Sequence, residues 1–371
     1  MMKISVDRDS FSKCLTRLQG VVEKRNTMPV LANCLIRTGE DKVYLLATDL
    51  DITIIDSCSA QIETPGSVSV NARKLYEIFK ELEPGEVELN ETEPQKLVIN
   101  YRNFVFDLQG INPDEYPLLP SDEGYEYFGI EAEILSEMID KTIYAAAMEE
   151  GRFTLNGIFM EKLEDGKTLR FVATDGHRLA LIDRQVDMLE NLQLEKGVIL
   201  PKKGMSELDK LIGSVEGQIQ LGVKENHIAL RVGETLLFMR LVDGEFPEYR
   251  RVIPEENPVK VKISREEFLK SLRKASTLVD EKARSVKLTF KDGKMTIEGR
   301  HPSYGIARGE CECEFQGEEL EIGFNDRYLY DILTTVSGEN ILMEIKDELS
   351  PVLFKTDEDE KYLCVVMPMR I

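Results

Sequence analysis

The residues of this 371-residue chain that could do chemistry crowd closest together in Ala173-Thr-Asp-Gly-His-Arg-Leu-Ala180. Asp175 and His177 are the types found in a carboxylate-oriented general base. A base needs a nucleophile or a metal-bound water to act on. The chain has no GxSxG, HExxH or Walker loop, and no dinucleotide-binding glycine pattern. Its six cysteines, at 14, 34, 58, 311, 313 and 364, include no CxxC pair, and only His177, His227 and His301 could join them. Cys311 and Cys313 share one face of an alternating strand, and ordinary thiols in a reducing compartment are the expectation. No metal and no cofactor are expected, and His177 reads as the wall of a pocket. Asp175-Gly176, with apolar residues on both sides, reads as a two-residue hairpin turn.

That turn has a counterpart. Leu46-Ala-Thr-Asp-Leu-Asp-Ile52 repeats its first half 126 residues earlier. The interval is too long for a solenoid unit and suits a duplicated domain. Between the two copies the elements recur in order. A helix pattern from Asp7 carries Phe11, Leu15 and Leu18, and a second one, capped by Asn71, carries Leu75, Phe79 and Leu82. Helices with Leu135, Met138, Ile139 and Ile143, then with Leu208 and Leu211, hold the same places in the next section. The third section opens its helix with the capping box Ser264-Arg-Glu-Glu267 and starts its last helix at Asn325. Short alternating strands fill the intervals, among them Leu31–Arg37, Val43–Thr48 and Ile52–Ile55. The expected fold is α+β: three copies of one domain, at 1–125, 126–254 and 255–371, each made of two β-α-β-β-β halves. Every helix has one apolar stripe, so it covers one face of a sheet and shows the other to water.

The net charge is −21, which opposes indiscriminate binding to nucleic acid unless the charge is unevenly placed. It is uneven. The six helix windows 7–18, 71–82, 131–147, 202–212, 265–276 and 325–336 hold 15 basic and 14 acidic residues, a sum of +1, which leaves −22 on strands, loops and turns. A repeated, curved array of helices can close. Twelve helices from two chains, about 9 Å apart, have a circumference of roughly 110 Å and a diameter near ~35 Å at the axes. Removing about 5 Å of helix radius on each side leaves roughly 25 Å, the width of a nucleic-acid duplex. No apolar run approaches the ~20 residues that span a bilayer. The start, Met1-Met-Lys-Ile-Ser5, lacks a signal-peptide core, so the cytoplasm is the expected compartment, with Met1 or Met2 as first residue.

Leu155-Asn-Gly157, Ala173 to Ala180, Leu241-Val-Asp-Gly-Glu-Phe-Pro-Glu-Tyr-Arg-Arg-Val252, Glu321-Ile-Gly-Phe-Asn325 and Val365-Val-Met-Pro-Met-Arg-Ile371 together are specific. Through them the chain resembles the bacterial DNA polymerase III β subunits, the DNA sliding clamps, along its whole length. The resemblance implies a processivity factor: a head-to-tail homodimeric ring with helices inside and sheets outside. Such a ring encircles duplex DNA without reading its sequence and tethers the replicative polymerase. A clamp loader opens it, and other proteins bearing clamp-binding motifs share its cleft. By resemblance, Arg25, Arg73, Lys74, Lys80, Arg152, Lys202 and Lys203 are the DNA-facing cations, while Glu149 and Thr154 stand where some members carry Gln and Tyr that help hold DNA. The partner-peptide cleft maps to Leu155, Thr174, Gly176, His177, Arg178, Leu179, Pro247, Arg251, Val252, Val365, Met367, Pro368, Met369 and Arg370. The dimer interface maps to Phe106 and Leu108 on an edge strand, Thr277 and Leu278 opposite them, and Lys74 among flanking charges. The competing readings are an enzyme working through Asp175 and His177, and an acidic protein-interaction scaffold that never threads DNA.

Overall fold

A computed structural model describes residues 1–22, 28–148, 151–187, 189, 192, 194, 196–213 and 215–370. The first repeat runs β1 (Lys3–Asp7), α1 (Arg8–Leu18), β2 (Asn33–Thr38), β3 (Lys42–Thr48), β4 (Ile52–Thr64), β5 (Ser67–Asn71), α2 (Ala72–Glu81), β6 (Glu86–Glu93), β7 (Lys96–Tyr101) and β8 (Phe104–Ile111). The second runs β9 (Tyr127–Glu131), α3 (Ala132–Ile143), β10 (Gly157–Lys162), β11 (Thr168–Thr174), β12 (Arg178–Gln185), β13 (Val198–Pro201), α4 (Lys202–Ile212), β14 (Gln218–Lys224), β15 (His227–Val232) and β16 (Thr235–Arg240). The third runs β17 (Val259–Ser264), α5 (Arg265–Ser276), β18 (Ser285–Lys291), β19 (Lys294–His301), β20 (Gly305–Glu314), β21 (Leu320–Asn325), α6 (Asp326–Thr335), β22 (Asn340–Ile345), β23 (Val352–Thr356) and β24 (Tyr362–Val366). Each repeat is thus two β-α-β-β-β halves.

The compact units do not coincide with the repeats. One holds Met1–Glu133 and Ser206–Leu241; the other holds Ile134–Glu190, Leu194–Met205 and Val242–Ile371. Each is built on a twelve-stranded antiparallel sheet. In the first the order is β1-β6-β7-β8-β5-β2-β3-β4-β16-β15-β14-β9, and in the second β13-β10-β11-β12-β24-β23-β22-β17-β20-β19-β18-β21. The strand that joins each sheet across a repeat boundary pairs with a foreign strand: β4 with β16, and β12 with β24.

In the first unit, α1 buries Phe11, Cys14, Leu15 and Leu18, and α2 buries Ala72, Leu75 and Phe79. The rings of Phe11 and Phe79 meet at 4.6 Å, and burying each such side chain stabilises the unit by about 1.5–3 kcal/mol. Asp7 and Asn71 accept the backbone N–H groups of Ser10 and Lys74 at 2.9 Å, which caps both helices. In the second unit, α5 and α6 start from the caps Ser264 and Asn325. Only the Ser264 arm of the expected capping box forms, because Glu267 turns its carboxylate to Lys270.

Sequence patterning misses most of β4. The strand runs thirteen residues, whereas its apolar run stops at Ile55. The interruption is Asp56, a fully buried carboxylate that a hydrophobic pattern reads as surface. It accepts from Arg17 and Thr235, each at 3.0 Å, so its charge is compensated inside the sheet layer.

The second unit has a larger ionic knot. Arg184 on β12 forks onto Glu137 of α3 at 2.6 and 2.7 Å and onto Asp359 at 2.6 Å, while Lys141 reaches Glu137 at 2.8 Å and Asp359 at 2.7 Å. Hydrogen bonding from Arg184 holds the Glu137 carboxyl below its ordinary value of 4.5. Burial works against Asp359, yet the bonds from Arg184 and Lys141 prevail and its carboxyl also lies low. A carboxyl depressed in the folded state takes its proton more readily once unfolded, so it stabilises the fold above the unfolded pKa and stops doing so as pH falls through the folded one. We therefore expect the stability gap between wild type and Glu137→Gln, read from urea midpoints, to be largest above about pH 5 and to shrink towards pH 3. A gap independent of pH contradicts this assignment.

Candidate functional site: a cleft beside a recurrent turn

The Thr-Asp recurrence that marks the repeat is a turn device. In the second repeat, Asp175 Oδ1 accepts from His177 N at 2.9 Å and Arg178 N at 3.0 Å. Thr174 Oγ1 accepts from Gly176 N at 3.1 Å and donates to the Arg178 carbonyl at 2.5 Å. The first repeat makes the same four bonds: Asp49 Oδ1 accepts from Asp51 N and Ile52 N at 3.1 and 2.7 Å, and Thr48 Oγ1 accepts from Leu50 N and donates to the Ile52 carbonyl, both at 3.0 Å. The residue two before Ile52 and Arg178 takes positive φ in both, +83° at Leu50 and +89° at Gly176. The two-residue hairpin read from Asp175-Gly176 is therefore corrected: the last pair is Thr174 with Leu179, and four residues lie between them. Side-chain acceptors stabilise the wider loop, which dipeptide turn rules do not anticipate. The Asp175 carboxylate is thus spent on backbone N–H groups and on the Arg178 guanidinium, 3.0 Å from Oδ2.

This turn, the segment Pro247 to Val252 and the last strand enclose a cleft of about 230 Å³. Leu155, Thr174, Gly176, His177, Arg178, Leu179, Pro247, Val252, Val365 and Met367 line it, ten of the fourteen residues the resemblance maps there. Its lining also includes Glu248 and Tyr249, which the sequence reading did not single out. Leu179, Val365 and Tyr249 belong to one apolar cluster with Val172, Leu181 and Leu353, so the same side chains serve core and cleft. Burial pushes the Tyr249 phenol up to about 12. The wall is tied in place from both sides: β24 pairs with β12 from Arg178–Val366 to Ile182–Tyr362, and Met367 N donates to the His177 carbonyl at 2.9 Å. Arg251 stands off the lining, exposed and paired with Glu248. Pro368, Met369 and Arg370 also lie outside it, with Met369 N bonded to the Gly323 carbonyl at 2.8 Å.

The guanidinium of Arg178 faces away from water. It donates to Asp331 Oδ2 at 2.6 Å and to the Tyr144 carbonyl at 2.5 Å, and it stacks 4.4 Å from the Tyr328 ring. No sequence pattern links Arg178 to Asp331, 153 residues away.

The cations that the resemblance assigns to DNA fall in two groups. Arg73, Lys74 and Lys80 are exposed on α2, where the first two share Glu77 at 3.1 and 2.8 Å. In the second unit Lys203 is exposed, but Lys202 is half-buried and donates to the Ala146 carbonyl at 2.7 Å. Burial, with Arg178 nearby, lowers the Lys202 pKa from its ordinary value. Arg152 is exposed and donates to the Asp175 carbonyl at 3.0 Å. Arg25 and Glu149 lie outside the described residues.

Among the described residues β8 and β20 each have a largely open edge, and β9 and β13 also pair on one side only. On its outer side β8 pairs with β5 only at Gly110 and Ile111, leaving Phe104 to Gln109 without a ladder partner among the described residues. Phe106 and Leu108 are half-buried there. Likewise β20 meets β17 only at Cys313 and Glu314. Thr277, exposed, and Leu278, half-buried, follow α5. Among the described residues no group of three or more His, Cys, Asp and Glu side chains could hold a metal, and no helix is long and apolar enough to cross a membrane. All six cysteines are free thiols.

Family models for the N-terminal, central and C-terminal domains of the DNA polymerase III beta subunit match residues 2–120, 129–248 and 250–370. The chain is 36% identical to the beta sliding clamp of Caulobacter vibrioides and 33% identical to that of Pseudomonas aeruginosa, each covering 100% of both chains. A DNA polymerase III subunit beta from Bartonella birtlesii, solved bound to griselimycin, superposes with a TM-score of 0.94 at 36% identity over 100% of both chains.

Proposed function

The chain belongs to the DNA polymerase III β subunit family, and on that premise we propose that it is a ring-forming processivity factor that threads duplex DNA and tethers the replicative polymerase. The observation that carries this reading is end-to-end similarity to sliding clamps, with every one of the six β-α-β-β-β units in place. The three repeats, near 1–125, 126–254 and 255–371, act as its domains. Lys and Arg on helices meet phosphates without reading bases, so the ring slides, and the anionic remainder of the chain repels DNA from outside. Topology rather than affinity then keeps the protein on DNA, and a clamp loader must open an interface. The role involves no catalysis and no cofactor, and its compartment is the cytoplasm, which suits six unpaired thiols.

Internal symmetry supports the closing contact. β4, β12 and β20 hold equivalent places, each third among the strands that follow from a repeat's first half; β16, β24 and β8 are each the last strand of a repeat. β4 takes β16 and β12 takes β24, both antiparallel. Within these two sets of equivalent strands, β20 and β8 are left over. In a homodimer β8 of each copy meets β20 of the other, twice, which covers the open edges of those two strands. Phe106, Leu108 and Leu278 serve as apolar contacts, with Thr277 and Lys74 at the rim. The cleft takes short peptide segments of the polymerase, the loader and other partners. Apolar walls orient a peptide anchor and Met367 adapts to different ones. We place griselimycin in this same cleft.

Threading predicts that the loaded protein stays on a nicked circular plasmid through gel filtration and is lost when the plasmid is cut to a linear form. A scaffold that never threads DNA gives equal retention on both. Phe106→Glu combined with Leu108→Glu should halve the sedimenting mass while leaving the circular-dichroism spectrum unchanged; an intact dimer overturns the edge assignment. Arg25→Glu with Lys203→Glu should weaken loading, whereas deleting Met367–Ile371 should abolish polymerase binding and keep the dimer. A deletion that breaks the dimer and spares polymerase binding contradicts the cleft assignment.

A further inference from the structure

We propose that Asp331 of α6, which does not line the cleft, is a positioning residue that sets ligand affinity through Arg178; this rests on the cleft reading above. The turn that forms the cleft wall exists twice in the chain with the same four hydrogen bonds, but the copies differ at its exit. The first repeat leaves the turn through Ile52, which is buried. The second leaves it through Arg178, whose side chain is only 9% exposed. Replacing an apolar exit by a buried cation is costly unless the charge is fully met.

It is met from three directions. Asp175 holds Nε at 3.0 Å, the Tyr144 carbonyl holds Nη2 at 2.5 Å, and Asp331 holds Nη1 at 2.6 Å. Asp175 is already shared with two backbone N–H groups of the turn, so Asp331 is the carboxylate whose described bonds go to Arg178 alone. Other cations crowd the same spot: Lys202 is near enough to Arg178, Asp175, Asp331 and Arg327 for all four to act on its protonation, and Arg152 donates to the Asp175 carbonyl. Without the Asp331 charge this knot has too few anions. The nearest escape for the guanidinium is the open volume its own side chain already borders, the cleft. Arg178 would then stand where ligand sits, and the wall of Gly176 and His177 would lose its anchor to α6.

The test uses the full chain and griselimycin as probe, by calorimetry well below the unfolding temperature. Asp331→Asn, nearly isosteric, should weaken griselimycin by about tenfold, while the same substitution placed on an Arg178→Ala background should add nothing. The dimer should remain. If Asp331→Asn folds poorly, Asp331→Glu, which keeps the charge and shifts it by one methylene, should show a smaller loss in the same direction. Wild-type affinity in Asp331→Asn overturns the proposal. So does an equal loss with and without Arg178, which marks a general structural role. If instead Val365→Asp leaves griselimycin binding unchanged, the cleft itself is misplaced, and the proposal falls with it.

Discussion

A β-strand with one bare edge exposes a row of N–H and C=O groups that water satisfies only by leaving the strand open to any other. The architecture here depends on how that constraint is met. In both compact units the sheet runs across a repeat boundary. β4 pairs with β16 and β12 with β24, strands from the following repeat, so each compact unit joins one whole outer repeat to part of the middle one. The same rule applied once more is the ground on which we propose that β8 of one copy meets β20 of another.

The pairing of β12 with β24 also makes the cleft. It brings the turn at Asp175, the segment at Pro247 and the tail at Met367 to one place, though they are far apart in the chain. Fusion of the second and third repeats and formation of the cleft are therefore one event. The cations then divide by local environment. Those on α2 are exposed beside one glutamate, while Lys202 and Arg152 donate to carbonyls behind or beside the turn. Lys202, half-buried and bonded to the Ala146 carbonyl, thus differs in setting from the exposed cations of α2.

Much of this was legible in the sequence. Helical stripes such as Phe11, Leu15 and Leu18, caps at Asn71 and Asn325, and the doubled Ala-Thr-Asp marked the repeat and its halves. What escaped has definite causes. Asp56 broke the apolar run of β4 because its partners, Arg17 and Thr235, sit on other elements. The width of the Asp175 turn depended on side-chain acceptors rather than on the Asp-Gly dipeptide. Tyr249 entered the cleft because it faces core and cavity together, and Asp331 was invisible because long-range ion pairs leave no local pattern. Ten cleft residues came together as the resemblance mapped them; Arg251 and the last residues of the tail lie beside the lining.

The central claim is that two copies close a ring through β8 and β20, and a covalent lock tests it most directly. With Leu108→Cys and Leu278→Cys installed, the protein is loaded on circular plasmid and treated with a short bis-maleimide. A closed ring predicts a species that carries two linked chains, survives detergent on the circle and drops off when the plasmid is cut. Cross-linked dimers that leave the circle in detergent would contradict it.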